Sequence, residues 1–353
     1  LEKKHLLIVG AGLAGTCLSL QALEMGFQVT QVSDPLHKPQ SLAAAGLINP
    51  ITGKRFQLSW EAGKIFPIAL SFYEKWESEL GALFLHKQAV FKPFPTQHEA
   101  NDFIAKSESA QYRFFLEKAY DSGSSNTYWL DPFGGFLTRH SGWLNVPLFL
   151  SAAEGYLSDK VNKVQEAFSY EALVTNNPQI NYKAQPYDSI VFAEGYRSRF
   201  NPFFTPIPVG ANKGETILVE GLDNWKEDQI LNKSVFVIPV GEKQFRVGAT
   251  YKPNEINIET TAEAREELEA RLMESVRLPF DTIAQFAGIR PTSPDRKPII
   301  GQHPTIPSMW MLNGLGSKGV SYGPWAASLL LNALASGMEI PDAVNIKRYY
   351  SLY

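Results

Sequence analysis

The stretch Leu6-Leu7-Ile8-Val9-Gly10-Ala11-Gly12-Leu13-Ala14-Gly15 restricts the fold more than any other part of the chain. Four apolar residues in a row make a short strand buried on both faces, and a Gly-x-Gly-x-x-Gly run follows at once. Helical spacing comes next, at Leu13, Cys17, Leu20 and Leu23, closing at Gly26 before a second strand over Phe27 to Val32. In such a unit Gly10 permits the tight turn, Gly12 lets the backbone approach a pyrophosphate, and Gly15 lets the helix pack close to the sheet. The helix N-terminus then offers unpaired N–H groups and a positive dipole end to phosphates. A glycine run alone is also an incidental turn; the strand–turn–helix–strand setting points to a Rossmann-like cradle for an adenine dinucleotide. The acidic residue that grips the adenosine ribose should end the second strand, where Ser33 stands and Asp34 follows. Either Asp34 reaches back or the Ser33 hydroxyl takes that contact.

At 353 residues the chain is long enough for two domains, or for one with a large insertion. Hydrophobic residues at 44% and charged residues at 20% describe an ordinary soluble globular protein. A net charge of −3 offers nucleic acid or an anionic membrane no global attraction. Cys17 is the single cysteine, which excludes an internal disulfide and a multi-cysteine metal site. The histidines (5, 37, 86, 98, 140, 303) lack ligand spacing, so no metal is expected. No apolar run reaches the ~18 residues of a membrane span, and no signal-peptide layout opens the sequence. The expected setting is a reducing cytoplasm.

Small residues dominate Ala43-Ala44-Ala45-Gly46-Leu47-Ile48-Asn49-Pro50, giving a backbone that lies flat against a planar ligand or forms a packed turn. Lys54 and Arg55 follow, as cationic neighbours of a ligand or as solvated loop charges. Residues 61–80 read as an amphipathic helix on Ile65, Ala69, Phe72, Trp76 and Leu80, with Pro67 in the first turn or at a kink. From 82 to 140, short aromatic-rich runs between turn signals predict an antiparallel sheet with a short helix at His98 to Ala105. Asn145 is placed to cap a helix whose first turn holds Pro147. Strands are expected at Val164 to Val174, Tyr187 to Phe192, Thr216 to Val219, Val235 to Pro239 and Phe245 to Thr250. Thr260-x-x-Glu263 is a capping-box start for a helix to about Val276.

Two further stretches carry chemistry. In Phe286-Ala287-Gly288-Ile289-Arg290-Pro291, an arginine follows an apolar strand and precedes a proline-rich turn. A guanidinium there can fork two hydrogen bonds onto a carboxylate, or form a structural salt bridge with Asp295. Asn313-Gly314-Leu315-Gly316-Ser317-Lys318-Gly319 leads through Pro324 into an apolar helix, Trp325 to Leu334. A P-loop reading fails because Val320-Ser321 follows Gly319, and a Gly-x-Ser-x-Gly elbow would need glycine at Leu315. What remains is a glycine loop that aims a helix N-terminus at an anion.

Over its full length the chain resembles the D-amino acid oxidase/glycine oxidase superfamily of FAD enzymes, with these motifs in the family's order. Gly142-Trp143-Leu144, Gly248-Ala249-Thr250-Tyr251 and Gly316-Ser317-Lys318-Gly319 further resemble the oxidase half of the bifunctional enzyme that modifies the tRNA wobble uridine. The resemblance implies an α/β fold. A Rossmann-like FAD-binding domain (1–80, 141–210 and 286–353) is interleaved with an α+β substrate domain on a mostly antiparallel sheet (81–140 and 211–285). It implies that Gly10, Gly12, Leu13, Ala14, Gly15, Ser33, Asp34, Ala193 and Gly195 hold the adenosine diphosphate half of FAD. Tyr170 would read the adenine edge through its backbone. Ala44, Ala45, Gly46 and Leu47 would run along the isoalloxazine, with Gly288, Gly314, Gly316, Ser317, Lys318 and Gly319 around it. There the helix dipole and Lys318 would stabilise negative charge on the N1–C2=O edge. Arg290 would hold the substrate carboxylate, with Tyr251 and Phe236 in the pocket. Lys213-Gly214-Glu215 stands where relatives carry Arg-Gly-Gln, and the arginine that glycine oxidases place near Ser317 is missing.

The expected activity is oxidation of a carboxylate-bearing amine or amino acid by hydride transfer to flavin N5, the imine then hydrolysing. FAD is expected to be non-covalent, since no cysteine or histidine sits at an attachment spacing. One alternative is a free-standing tRNA wobble-uridine oxidase, against which the acidic balance counts. Another is a non-catalytic flavin-binding protein. A nicotinamide dehydrogenase lacks a second nucleotide site.

Overall fold

The computed structural model describes residues 4–53, 55–123, 128–176, 179–222, 225 and 229–352. Its first sheet is organised around the strand His5–Val9. Leu6 and Ile8 point into a large apolar core shared with the helices Leu13–Glu24, Ala62–Leu80, Val146–Ser158 and Gly319–Ser336. Leu7 and Val9 enter a second core with Ile180, Tyr182 and Phe204. Burial on both faces is why this strand reads as an unbroken apolar run. The strand order is Asn162–Gln165, Gln28–Ser33, His5–Val9, Ser189–Phe192, Met309–Asn313 and Ile299–Gln302, parallel throughout except for the last pair. The C-terminal ends of the three central strands share one edge, where each meets a glycine turn at Gly10, Gly195 or Gly314.

The second sheet places Gly210–Glu220 between Asp281–Thr292 on one side and Gln244–Gly248 on the other. Phe236–Gly241, Gln229–Asn232, Ala89–Pro93, Gly135–Thr138 and Leu116–Tyr120 continue it. Pairing is antiparallel except between Gln229–Asn232 and Ala89–Pro93. One face carries Ile217, Val219 and Val247 against Leu268 and Leu272 of the helix Ala262–Met273. The other face turns toward the glycine edge of the first sheet. Among the described residues no helix is long and apolar enough to cross a membrane.

Several elements differ from the sequence expectation. Val164 to Val174 is two strands, Asn162–Gln165 and Leu173–Asn176, which belong to different sheets. Between them Ser169 accepts from the Ala172 amide and winds Tyr170–Ala172 into a 3₁₀ turn. The cap of the helix Ala262–Met273 is Thr261, one residue after the expected Thr260, because the Thr261 hydroxyl reaches the Ala264 amide. The stretch from 82 to 140 is more helical than expected, with Gln97–Ser107 followed by Ala110–Phe115.

The last helix starts at Gly319 and runs through Pro324 rather than beginning after it. Pro324 lacks the N–H that would bond the Val320 carbonyl, a defect that usually breaks a helix. Here the hydroxyl of buried Tyr73 donates to that carbonyl at 2.8 Å. Tyr73→Phe should therefore cost about 1–3 kcal/mol by stranding a buried acceptor, read as a lower denaturant midpoint at unchanged slope.

Candidate functional site

A cleft of about 1310 Å³ lies between the glycine edge of the first sheet and the open face of the second. Its wall includes Gly10, Gly12, Leu13, Ala14, Ser33, Asp34, Ala44 to Leu47, Tyr170, Ala193, Gly195, Tyr251, Gly288, Arg290 and Gly316 to Gly319. Of the expected site residues, Gly15 and Gly314 are not on that wall; they pack behind it. Arg55 is exposed and away from the cleft, and Lys54 lies outside the described residues.

At the first turn the glycines answer to backbone contacts. A Cβ on Gly10 would fall 2.4 Å from the Ala193 carbonyl oxygen, and one on Gly15 would fall 1.9 Å from the Gly10 oxygen. The helix that follows has glycine at its N-cap, which supplies no side-chain acceptor, and no acidic residue in its first turn. Ser41 accepts from the Leu13 amide at 3.1 Å. The helix Gly319–Ser336 likewise gets no side-chain acceptor from its N-cap residue and is free of acidic residues in its first turn. Two positive helix ends thus border one elongated cavity, an arrangement that suits a dinucleotide with phosphates at one end and an electron-rich ring at the other. The residues fit the expected FAD.

At the nucleoside end, Asp34 is already engaged by the His37 ring at 2.7 Å and by the Leu36 amide at 3.0 Å. Arg197 also faces it at 3.6 Å. Ser33 lines the cleft beside it. Tyr170 donates to Glu194 at 2.5 Å, and Asn201 donates to the other oxygen of Glu194 at 2.8 Å. Burial pushes the Glu194 carboxyl above its ordinary range against those two donors, and burial with Glu194 beside it pushes the Tyr170 hydroxyl up. Asn313 staples two of the glycine turns, donating to the Gly195 carbonyl while accepting from the Gly314 amide.

The other end is built on Asp281–Thr292. Arg290 Nη1 donates to Asn212 Oδ1 and to the Thr250 carbonyl, both at 3.3 Å, and its remaining donors have no partner among the described residues. The salt bridge with Asp295 does not form, since Asp295 pairs with Arg348 at 3.1 Å. Burial lowers the Arg290 guanidinium pKa, partly offset by Tyr251. Gly214 makes the seat: a Cβ there would lie 2.0 Å from Arg290 Nη2. Its neighbours serve the far side of the sheet, where buried Lys213 donates to the Glu259 carbonyl and Glu215 accepts from the Thr261 amide and hydroxyl. A second arginine, Arg246, ties the small-residue segment to this sheet through Thr216 Oγ1 at 2.7 Å and the Ala43 carbonyl at 3.1 Å. Its guanidinium stacks 3.8 Å over Phe286.

Tyr251 is 65% exposed and stands at the cleft rim with Ile256, Ile258 and Phe200. Lys318 has no carboxylate partner among the described residues, and burial first, Arg296 second, bring its ammonium down to about 8. Since this lies below the ordinary 10.5, folding disfavours the charged form: the penalty is full below pH 8 and fades as pH rises toward 10.5. Cofactor-free Lys318→Met should therefore be the more stable protein below pH 8, with the gap in urea midpoint closing as pH rises.

Sequence reasoning gave no role to Gly214, Arg246, Glu194, Asn49 or Asn232. Gly214, Arg246 and Asn232 meet partners brought from far along the chain, and only the glycine in Lys213-Gly214-Glu215 was visible beforehand.

Comparison with known proteins gives a family match, curated relatives and structural neighbours. The family described as "DAO: FAD dependent oxidoreductase" matches residues 5–333. Glycine oxidase of Pseudomonas aeruginosa is 30% identical over 156 residues, 43% of each chain. The tRNA 5-methylaminomethyl-2-thiouridine biosynthesis bifunctional protein MnmC of Idiomarina loihiensis is 21% identical over 351 residues, covering 93% of this chain and 55% of that one. These matches span only about half the length of the curated relatives. In fold, the crystal structure of glycine oxidase from Geobacillus kaustophilus superposes with a TM-score of 0.82 at 17% identity, covering 98% of this chain and 99% of the other.

Proposed function

The chain belongs to the DAO family of FAD-dependent oxidoreductases, and we propose that this enzyme oxidises the C–N bond of an amine that bears a carboxylate. Arg290 carries the reading: a desolvated guanidinium with uncommitted donors, facing the same cavity as the two helix N-termini. A carboxylate is the anion that matches its fork.

In this reading Arg290 fixes the acid group and so orients the adjacent α-carbon, while Gly214, Asn212 and Thr250 keep the guanidinium from swinging. The amine enters neutral, so its lone pair can assist as the α-hydride departs. When bound, FAD supplies the two-electron acceptor for that hydride. The N-terminus of Gly319–Ser336 and Lys318 place positive potential where negative charge must be held. Tyr251, Ile256 and Ile258 at the rim limit water while the substrate is engaged. The released imine hydrolyses in water. We assign cofactor binding to residues 1–80, 141–210 and 286–353, and substrate binding to 81–140 and 211–285. FAD is held without a covalent bond, and a reducing cytoplasm is the setting that suits the buried thiol of Cys17.

The test is anaerobic mixing of the flavin-loaded protein with sarcosine, glycine and D-amino acids, following the flavin band. Bleaching by carboxylated amines supports the reading; bleaching by none of them removes it. A second reading is favoured by the match to MnmC along 93% of the chain: a carboxymethylamine carried on tRNA. A salt-sensitive mobility shift with bulk tRNA would favour it.

A further inference from the structure

Arg246 stands on the second sheet but is not part of the cleft wall. Its cross-strand neighbours are Leu218 and Ile238, and its guanidinium stacks on Phe286. An aliphatic residue would fill such a place with no charge to desolvate, whereas burial brings the Arg246 pKa down to about 10. Among the described residues no carboxylate pairs with it, and its donors go to two neutral oxygens. Nε donates to Thr216 Oγ1 at 2.7 Å, within the sheet, and Nη2 donates to the Ala43 carbonyl at 3.1 Å, outside it. A planar fork bonded at both points holds Ala43 at a set distance from the sheet.

That carbonyl belongs to the segment Gln40 to Leu47, which lines the cleft. The segment is tied near both ends. Ser41 Oγ accepts from the Leu13 amide at 3.1 Å, beside the first glycine turn, and the Gly46 carbonyl accepts from the Leu144 amide at 3.0 Å. Ala43, Ala44 and Ala45 between them have no polar side chain with which to hold a position. The strand that carries Arg290 meets this middle part closely. Gly288 lies two residues before Arg290, on the same face, and a Cβ there would fall 2.8 Å from Ala43 Cβ. Gln40 Oε1 adds a tie by accepting from the Ile289 amide at 3.2 Å. Contact limits how near the strand and the segment come, and the Arg246 bond keeps Ala43 from moving away.

We propose that Arg246 is a positioning residue for the oxidation: by holding the Ala43 carbonyl it fixes the spacing between the flavin lying along this segment and the carboxylate held by Arg290. The proposal rests on the carboxylated-amine reading above.

Two measurements on the flavin-loaded protein test it. The first is anaerobic reduction by the carboxylated amine that bleaches the wild type fastest. In Arg246→Met the limiting rate should fall about 10- to 100-fold, because a small misplacement of reacting atoms is costly. The half-saturating amine concentration should stay within about 3-fold of wild type, since Asn212 and Thr250 still hold Arg290. The second is hydrogen exchange, which needs no substrate. The Leu42 and Ala44 amides, bonded to the Pro39 and Ser41 carbonyls, should lose protection about 10-fold, while those of His5–Val9 keep theirs. Arg246→Lys keeps the charge but not the fork; it should shift both readouts the same way by at least about 3-fold, and it decides the matter if the methionine variant does not fold. Wild-type protection at Leu42 and Ala44 in the folded variants overturns the proposal, as does a loss confined to half-saturation at an unchanged limiting rate. If no carboxylated amine reduces even the wild type, the amine reading falls, and exchange alone then upholds or overturns the hold of Arg246 on Ala43.

Discussion

Arg290→Met should lower kcat/KM for carboxylated amines by on the order of 10²- to 10³-fold, the loss of a buried charge-assisted pair worth about 3–4 kcal/mol. Most of the loss should appear in KM, because the contact is made before and during the reaction alike. Flavin content should stay at the wild-type level, since Arg290 reaches its protein partners through Asn212 and Thr250 and not through the glycine turns. The same phenotype, weaker, is expected of Gly214→Ala. Its new methyl would occupy the place of the guanidinium, 2.0–2.2 Å from three of its atoms, and push a flexible side chain off its seat. Steady-state kinetics on both variants check this. An unchanged KM in Arg290→Met would remove the clamp from the account.

Gly10→Ala should yield protein with little or no bound flavin, its FAD affinity reduced by on the order of 10²-fold. Two effects combine at this position. The φ of +116° is one that an L side chain resists, and the methyl would meet the Ala193 carbonyl at 2.4 Å, a backbone atom that cannot step aside. The turn must open, and with it the approach to the phosphates. Gly26→Ala is the control: its φ is +82°, but nothing lies within 4 Å of the added carbon. It should cost about 1 kcal/mol of stability and leave FAD binding intact. Flavin fluorescence quenching on titration of the apoproteins separates the two.

The cradle was legible in the sequence because its information is local. A strand, three glycines at fixed spacing and a helix lie within twenty residues, and the same is true of the Asn145 cap, which accepts from the Leu148 amide as its position implies. The place of Arg290 on the cleft wall was legible for a similar reason, since it stands between an apolar strand and a proline turn. What the sequence hid depends on pairing across long separations. Lys92 and Asn232 are 140 residues apart, and nothing local marks them as a pair. Pro324 misled because the carbonyl it orphans is answered by Tyr73, 247 residues before Val320. Val164 to Val174 misled because one apolar stretch serves two sheets. Asp34 is a third kind of case: its place beside the second strand was correct, but neighbours three residues away and across the cleft had already engaged its carboxylate.

The most direct measurement compares paired amines, a carboxylate and its amide, mixed anaerobically with the flavin-loaded protein. The flavin band should bleach with the carboxylate at concentrations where the amide leaves it untouched, and Arg290→Met should abolish the difference. A protein that takes up no FAD, or one bleached equally by acid and amide, would contradict the account.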